Sequence, residues 1–451
     1  MNLYKFSWIF SRRRLFTAVF LDYVILFLLL VSKKNIYPEL DYIDKQNILF
    51  FCFIWSSLNY IFGLYFFRLN SFLLDSIKNY IKNSSKLLIS FLFIYLSNSI
   101  FLKVNFLSSR DPIFSINFIV VFILSTYIGH ILLIFILHKR DSKFQNWILI
   151  GSKNLNSILS KNIHDTKYSY EIETIANIDD LKKLNLKNKK YSGIIISSEF
   201  EDRIIDFSFL KSNNLSCLTI KDWCQIYIQR FPPELITASD ILRINKSLNE
   251  RNFEMRLKRI ADIFLSSFLL IFMLPVLFLS SIFIFLEDFG PILYNQIRTG
   301  LNSKKFKIYK LRSMRVNSEK EGAMWAKTND KRISKIGKII RSTRIDELPQ
   351  LWSVLQGKMS LIGPRPERPE FDEVLSKDIP FYDTRYSIKP GLSGWAQVNY
   401  PYGASEEDAK NKLSYDLYYL EYFSFFLDFL ILLKTIKLVL NAKGSEQGSK
   451  I

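Results

Sequence analysis

Five apolar runs, each near the length of a bilayer-crossing helix, constrain this chain more than any other feature. Residues 15–31, 48–67, 87–102 and 113–137 crowd the first third, and residues 260–286 stand alone further on. About 20 apolar residues span the hydrocarbon as a helix, so the first four runs predict a four-helix transmembrane bundle. Two of them are imperfect: the first carries Asp22, and the third is short and holds Asn98. Basic residues flank the bundle unevenly. Lys5 and residues 12–14 precede the first run, Arg68, Lys78, Lys82 and Lys86 follow the second, and Lys139, Arg140 and Lys143 follow the fourth. The positive-inside rule then places both ends of the bundle in the cytoplasm. No small-residue cleavage site follows the first run, which therefore reads as an anchor and not a signal peptide.

Lys and Arg number 61 against 42 Asp and Glu, a formal charge of +19. Because so much of the chain is hydrocarbon, this excess points to a membrane surface, and nucleic acid is not an expected partner. Three separated cysteines, Cys52, Cys217 and Cys224, support neither a disulfide framework nor a zinc site. All three histidines precede residue 165. Chemistry in the second half must therefore run without His or Cys, which removes the usual triads and thiol nucleophiles there.

From residue 144 the composition turns polar. Strand-like runs at 147–151 and 192–197, with charged helical sequence at 179–190 between them, predict a small α/β Rossmann-like module over 144–250. Gly151 stands alone in its turn and the G-x-G-x-x-G fingerprint is absent, so a regulatory or scaffolding role is favoured over a cofactor site.

The run at 260–286 has Pro275 near its middle and basic residues on both sides, with Arg256, Lys258 and Arg259 before it and Arg298, Lys304 and Lys305 after it. Proline removes a helical hydrogen bond and clashes with the preceding turn, so the run should bend sharply or break. Equal charge on both flanks argues for a re-entrant helix whose ends emerge on one face; an ordinary kinked span would carry the remaining chain to the opposite side. The apolar stretch 422–440 contains Asp428, Lys434 and Lys437 and reads as a helix lying in the interface.

The polar remainder holds the chemistry. Residues 306–314 alternate as a strand that sets Lys310 and Arg312 on one side, with Arg341 and Arg344 three apart on a following helix. Directly after them comes the acid pair Asp346-Glu347. Beyond it stand Gly363-Pro364-Arg365-Pro366 and Lys389-Pro390-Gly391, rigid turns suited to fixing a guanidinium on a phosphate. Acid pairs are common in this chain. The cations around Asp346-Glu347, and the lack of another nucleophile type, single this one out. One carboxylate can attack phosphorus while its neighbour holds a divalent cation. Spacing alone leaves open the alternative that Arg341 and Arg344 merely pair with these acids to hold the fold.

The stretch 341–366, with 296–314, 385–398 and 415–440, closely resembles the catalytic domain of bacterial polyprenyl-phosphate hexose-1-phosphate transferases, the initiating sugar transferases of exopolysaccharide and O-antigen assembly. The bundle and α/β module in front resemble the large members of that family. The resemblance implies Asp346 as nucleophile and Glu347 as magnesium ligand. It implies contact of Pro364, Arg365 and Pro366 with the nucleotide and its phosphates, and a re-entrant helix marked by Lys258, Arg259, Asp262 and Pro275. Small members often have Ser before that proline, where Leu274 stands here.

The expected fold is thus a membrane protein with a bundle over 1–143, the α/β module over 144–250, and an α+β catalytic domain over 251–451 anchored by a re-entrant helix at 260–286 and interfacial helices. The expected reaction passes a hexose-1-phosphate from a UDP-sugar, UDP-glucose or UDP-galactose by resemblance, to undecaprenyl phosphate at the cytoplasmic face of the inner membrane. It runs by a ping-pong mechanism with Mg2+. Lys310, Arg312, Arg341, Arg344, Arg365 and Arg385 are the expected phosphate-binding cations; Lys258, Arg259, Asp262 and Pro275 are expected at the membrane and lipid phosphate. The bundle and module offer surface for a homodimer. The alternative of a membrane-anchored nucleotide-sugar dehydratase or epimerase wants a glycine-rich turn and a Tyr-x-x-x-Lys pair, and the chain has neither. A transporter would want polar residues spread through its spans, and few are present.

Overall fold

The computed structural model describes residues 13–36, 45–65, 77, 80–81, 83–84, 116–141, 145–164, 170–175, 191–197, 215–316, 330, 332–400, 403 and 405–440. The chain divides into two compact units, one of residues 1–149, 167–194 and 206–216, the other of 150–166, 195–205 and 217–451.

In the first unit, three of the apolar runs form α1 (Arg13–Ile36), α2 (Lys45–Phe62) and α3 (Ile116–Asp141). The run at 87–102 lies outside the described residues. Gly129 lets α3 approach α1, since a Cβ there would meet Ile25 and Leu21 at 3.1 and 3.2 Å. Asp22 is fully buried and accepts from Trp55 Nε1 at 3.0 Å and Tyr65 Oη at 2.7 Å, with His130 Nε2 2.9 Å from its other oxygen. A carboxylate among apolar helices is costly unless it is hydrogen-bonded, and these donors explain why the first run tolerates it.

The strands β1 (Gln145–Ile150), β2 (Tyr170–Ile175), β3 (Tyr191–Ile196) and β4 (Ser216–Thr219) form one sheet in the order β2-β1-β3-β4. β1 and β3 are the two runs legible in the sequence. Trp147, Ile148, Leu149, Ile194 and Ile195 are buried, as central strands require. β2 and the four-residue β4 carry too weak a pattern to be anticipated, as does α4 (Lys153–His164). The helix expected at 179–190 lies outside the described residues.

In the second unit, α5 (Ala238–Glu250) starts on a capping box in which Thr237 and Asp240 satisfy each other's backbone donors. It is followed by α6 (Asn252–Asp288), a single 37-residue helix that runs through Pro275 without interruption. Over Asn252–Asp288 and, in α1, over Leu15–Ser32, the described residues hold two helices long and apolar enough to cross a membrane. The centre of α6 is bare, with Phe264, Phe268, Ile271, Phe272 and Phe278 all more than 60% exposed. Its two ends are not. Near the start, Arg259 donates to the carbonyls of Val354 and Leu355 at 2.6 and 2.7 Å, and Asp262 accepts from Ser360 Oγ and Leu361 N at 3.1 and 2.9 Å. At the far end, Ile284 packs with Leu311 and Ile340, and Glu287 accepts from Lys335 N at 2.8 Å.

The antiparallel hairpin β5 (Leu293–Thr299) and β6 (Lys305–Leu311) pairs Tyr294 with Lys310. After it come α7 (Lys335–Ser342), α8 (Gln350–Leu355), β7 (Ser360–Ile362), α9 (Pro369–Asp378), β8 (Gly391–Ser393), α10 (Trp395–Asn399), α11 (Glu406–Glu421) and α12 (Phe425–Leu440). β7 and β8 pair in parallel. The core of this unit is α11, whose Leu413 and residues 417–420 are fully buried. The terminal apolar stretch is α12, and one of its faces (Leu427, Leu430, Ile431, Leu433) packs into the protein while Phe425 and Leu440 remain exposed. Its charge at Asp428 is buried against Lys258 Nζ at 2.6 Å and Tyr419 Oη at 2.7 Å.

Candidate active site

The acid pair sits on a single 3-10 turn between α7 and α8. Ser334 caps α7 by accepting from Gly337 N at 2.9 Å, and the helix ends at Ser342. Arg344 then adopts a left-handed backbone with φ of 60°. This reversal swings Asp346 and Glu347 inward, where they are 6% and 7% exposed. The single helical face expected for Arg341 and Arg344 is therefore not formed, because the helix stops between them.

Glu347 gathers three cations. Lys310 Nζ lies 2.9 Å and Arg365 Nη2 2.6 Å from its Oε1, and Arg344 Nη1 lies 3.3 Å from Oε2. They arrive from β6, from the Gly363–Pro366 turn and from the acid turn itself. The neighbouring Asp346 is different: its Oδ1 is buried without a hydrogen-bond partner, as are Arg341 Nη1 and Gln350 Nε2. Burial pushes the Asp346 carboxyl up to about 6, and the Glu347 charge adds to it against Lys310, Arg341 and Arg344. Burial also raises Glu347, but Arg365, Lys310 and Arg344 outweigh it and hold that carboxyl well below its ordinary range. Adjacent acids driven in opposite directions are the mark of two different tasks.

Arg365 is presented by backbone stitching. Gly363 N donates to Ser393 O and Gly391 N to Pro364 O, both at 2.8 Å. A Cβ on Gly391 would fall 2.1 Å from Gly363 N, so only glycine permits this approach. Pro364 and Pro366 fix φ on either side of Arg365.

Two of the expected phosphate-binding cations are not brought to the acid pair. β6 ends at Leu311, so the strand alternation lapses there. Arg312 turns instead to Asp288 and to Ile284 O at the last turn of α6. Arg385 is buried with Nη2 3.0 Å from both Arg365 O and Asp416 Oδ2, and its Nη1 donates to Tyr382 Oη at 2.8 Å. It holds the Arg365 turn from behind. Lys258 and Asp262 likewise are buried, against Asp428 and β7.

The buried partners of Asp416, Asp428 and Tyr419 were not anticipated. A signal existed: Asp416 lies within the run Leu413-Ser-Tyr-Asp-Leu-Tyr-Tyr-Leu420, and an acid inside a buried helix face demands a cationic partner.

Among the described residues, no group of three or more His, Cys, Asp or Glu side chains could cage a metal. Magnesium is commonly held by one or two carboxylates with substrate phosphates and water completing the shell. The Asp346-Glu347 pair, with the unpartnered Asp346 Oδ1, fits that requirement.

The sequence profile of the bacterial sugar transferases matches residues 253–442. A UDP-N-acetylgalactosamine-undecaprenyl-phosphate N-acetylgalactosaminephosphotransferase of Aeromonas hydrophila is 46% identical over 171 residues, 38% of this chain and 40% of the relative. UDP-glucose:undecaprenyl-phosphate glucose-1-phosphate transferases of Klebsiella pneumoniae and Caulobacter vibrioides are 33% and 38% identical, the first covering 61% of each chain and the second 42% of this chain and 71% of the relative. The matched region thus spans less than half of the Aeromonas relative and more than two thirds of the Caulobacter one. On these matches, and on the acid turn they contain, the chain belongs to the bacterial sugar transferase family of polyprenyl-phosphate sugar-1-phosphate transferases.

Proposed function

We propose that this chain transfers a hexose-1-phosphate from a UDP-sugar to undecaprenyl phosphate, releasing UMP, at the cytoplasmic face of the inner membrane. The observation that carries the reading is the contrast within the acid pair: Glu347 is tied to three cations while Asp346 Oδ1 is buried and unpartnered. An Asp346 oxygen attacks the β-phosphorus, and the bond from that phosphorus to the bridging oxygen breaks, so UMP leaves with the electron pair. The phosphate oxygen of the lipid then attacks the same phosphorus and frees the Asp346 carboxylate. Lys310, Arg344 and Arg365 are placed to share their charge between Glu347 and the phosphate oxygens, and Arg341 Nη1 has a donor to spare. Glu347, with Asp346 beside it, would hold magnesium, which supplies further neutralisation of phosphate charge.

Both substrates must reach one site, so α6 is proposed to enter the membrane and return to the same face. The attachment of both its ends within one unit, through Arg259 and Asp262 at the start and Ile284 and Glu287 at the end, supports this shape. The bundle over 1–143, the module over 144–250, the transferase domain over 251–451 and a homodimer complete the proposed architecture.

Mass spectrometry of the intact enzyme after incubation with UDP-glucose, UDP-galactose or UDP-N-acetylgalactosamine tests the mechanism and the sugar together. A phosphosugar adduct on Asp346, released as lipid-linked product on adding undecaprenyl phosphate, is expected. UMP release that requires both substrates at once, with no adduct, would replace it with direct displacement.

A further inference from the structure

α4 and α11 belong to the same compact unit and enclose a cleft of about 280 Å3 between one face of each. α4 supplies Ser157, Ile158, Lys161 and Asn162, spaced as successive turns of one helical face, and α11 supplies Glu407, Lys410, Asn411 and Ser414 on the same period. Pro232 and the 3-10 turn Pro233–Leu235 close a third side. The walls are fixed without a ligand. Buried Arg230 donates to Asn411 Oδ1 at 3.2 Å and to the Asn162 carbonyl, tying α11 to α4. Lys161 Nζ lies 2.9 Å from Glu407 Oε1, again joining the two helices, and Phe231 N, just before the prolines, donates to Ser414 O at 2.8 Å. A cleft formed in advance loses little free energy to ordering when it is filled.

Hydrogen-bonding capacity remains on the lining. Lys161 and Lys410 each meet one carboxylate, of Glu407 at 2.9 Å and of Glu406 at 3.0 Å, and an ammonium has three donors to give. Among the described residues the exposed Glu234 carboxylate has no hydrogen bond or salt bridge. Lys161 and Lys410 cancel Glu234 and Glu407 in charge, so the lining does not favour an anion. Donors and acceptors in even supply, set around the apolar Ile158, Pro232 and Pro233, suit hydroxyls carried on a ring that has an apolar face.

We propose that the cleft between α4 and α11 is a binding site for a neutral saccharide, with hydroxyls shared between Lys161, Lys410, Glu234 and Glu407 and the C–H face of the sugar against the prolines. Its volume lies near the lower end, roughly 300 Å3, of small-molecule sites, which limits it to one pyranose ring. A free monosaccharide and the end of a glycan chain share this chemistry. The site is separate from the acid pair, and sugar binding there does not depend on the proposed transfer reaction.

The test uses the full chain in a detergent that has no sugar headgroup, without nucleotide-sugar. It is titrated with methyl glucoside, methyl galactoside, cellobiose and glucose 1-phosphate and followed by calorimetry and saturation-transfer NMR. Saturable binding of at least one methyl hexoside is expected. Lys410→Gln, which removes a charged donor, and Ser157→Trp, which fills the cleft from an exposed position, should each weaken it about fivefold or more. Lys246→Gln, at an exposed cation on α5, should change it less than twofold. Cellobiose binding much tighter than the hexoside identifies a glycan end; equal binding identifies a free monosaccharide. Absence of saturable hexoside binding, unchanged affinity in either Lys410→Gln or Ser157→Trp, or tighter binding of glucose 1-phosphate at the Lys410-dependent site would overturn the proposal. So would loss of hexoside binding in Lys310→Gln, which would place the sugar at the acid pair.

Discussion

Asp416 Oδ2 lies 3.0 Å from Arg385 Nη2, an ion pair whose members are 1% and 3% exposed. The same Nη2 donates to the carbonyl of Arg365, whose side chain reaches Glu347. A carboxylate deep in α11 thereby positions the loop that completes the acid site, through contacts far apart in sequence.

Removing that acid leaves Arg385 buried and uncompensated. Asp416→Ala is expected to cost about 3 kcal/mol of stability, the lower end for breaking a buried pair. In enzyme that remains folded, KM for the UDP-sugar should rise as Arg365 loses its support. Denaturant melts and steady-state kinetics on the same preparation check both parts, and an unchanged KM would confine Asp416 to a role in stability.

The acid pair should separate cleanly in stability as well as activity. The Asp346 pKa is raised from 3.8 to about 6. Its stabilising contribution is therefore complete below pH 3.8 and lost as pH rises through 6. Asp346→Asn should accordingly abolish adduct formation yet melt no lower than wild type at pH 7.5, with a gain of up to about 3 kcal/mol. Glu347 is depressed, so its contribution is present above the ordinary glutamate pKa and lost as pH falls through the folded value. Glu347→Gln strands Lys310, Arg344 and Arg365 and should lower the melting temperature at pH 7.5. Scanning calorimetry of the two variants tests the contrast; equal destabilisation would contradict it.

The raised Asp346 carboxyl also predicts a pH profile. As the proposed nucleophile it must be ionised, so the rate of adduct formation should fall about tenfold per pH unit below about 6. Rapid-quench measurement between pH 5 and 8 reads this limb directly. A rate flat down to pH 5 would remove Asp346 as the titrating group.

The proposed return of α6 to one face of the membrane predicts a labelling pattern. In enzyme whose native Cys52, Cys217 and Cys224 are replaced, cysteines placed at Arg256 and Phe289, both outside the central apolar stretch, should label from the same side of the membrane. Labelling from opposite faces would make α6 a true span. Pro275→Ala restores a backbone donor within α6, which continues through Pro275 as one helix, and should lower turnover with little effect on the pH profile, since it shifts placement and not chemistry.

Much of this was legible in the linear chain. Runs of hydrocarbon mark α1, α2, α3 and α6 because burial in lipid or protein needs length and composition alone. Asp346-Glu347 and the Gly363–Pro366 turn were visible because backbone restrictions and residue chemistry are local properties. Which cations meet the acids was not. Arg312 and Arg385 have the same chemistry as Arg365, yet the end of β6 turns the first to Asp288 and the packing of α11 ties the second to Asp416. Lys258 offered a lipid-facing cation to a sequence reading, and the fold buries it on Asp428, 170 residues away. Side-chain partners are selected by tertiary packing, because the cost of an unpaired buried charge is decided only when distant elements meet.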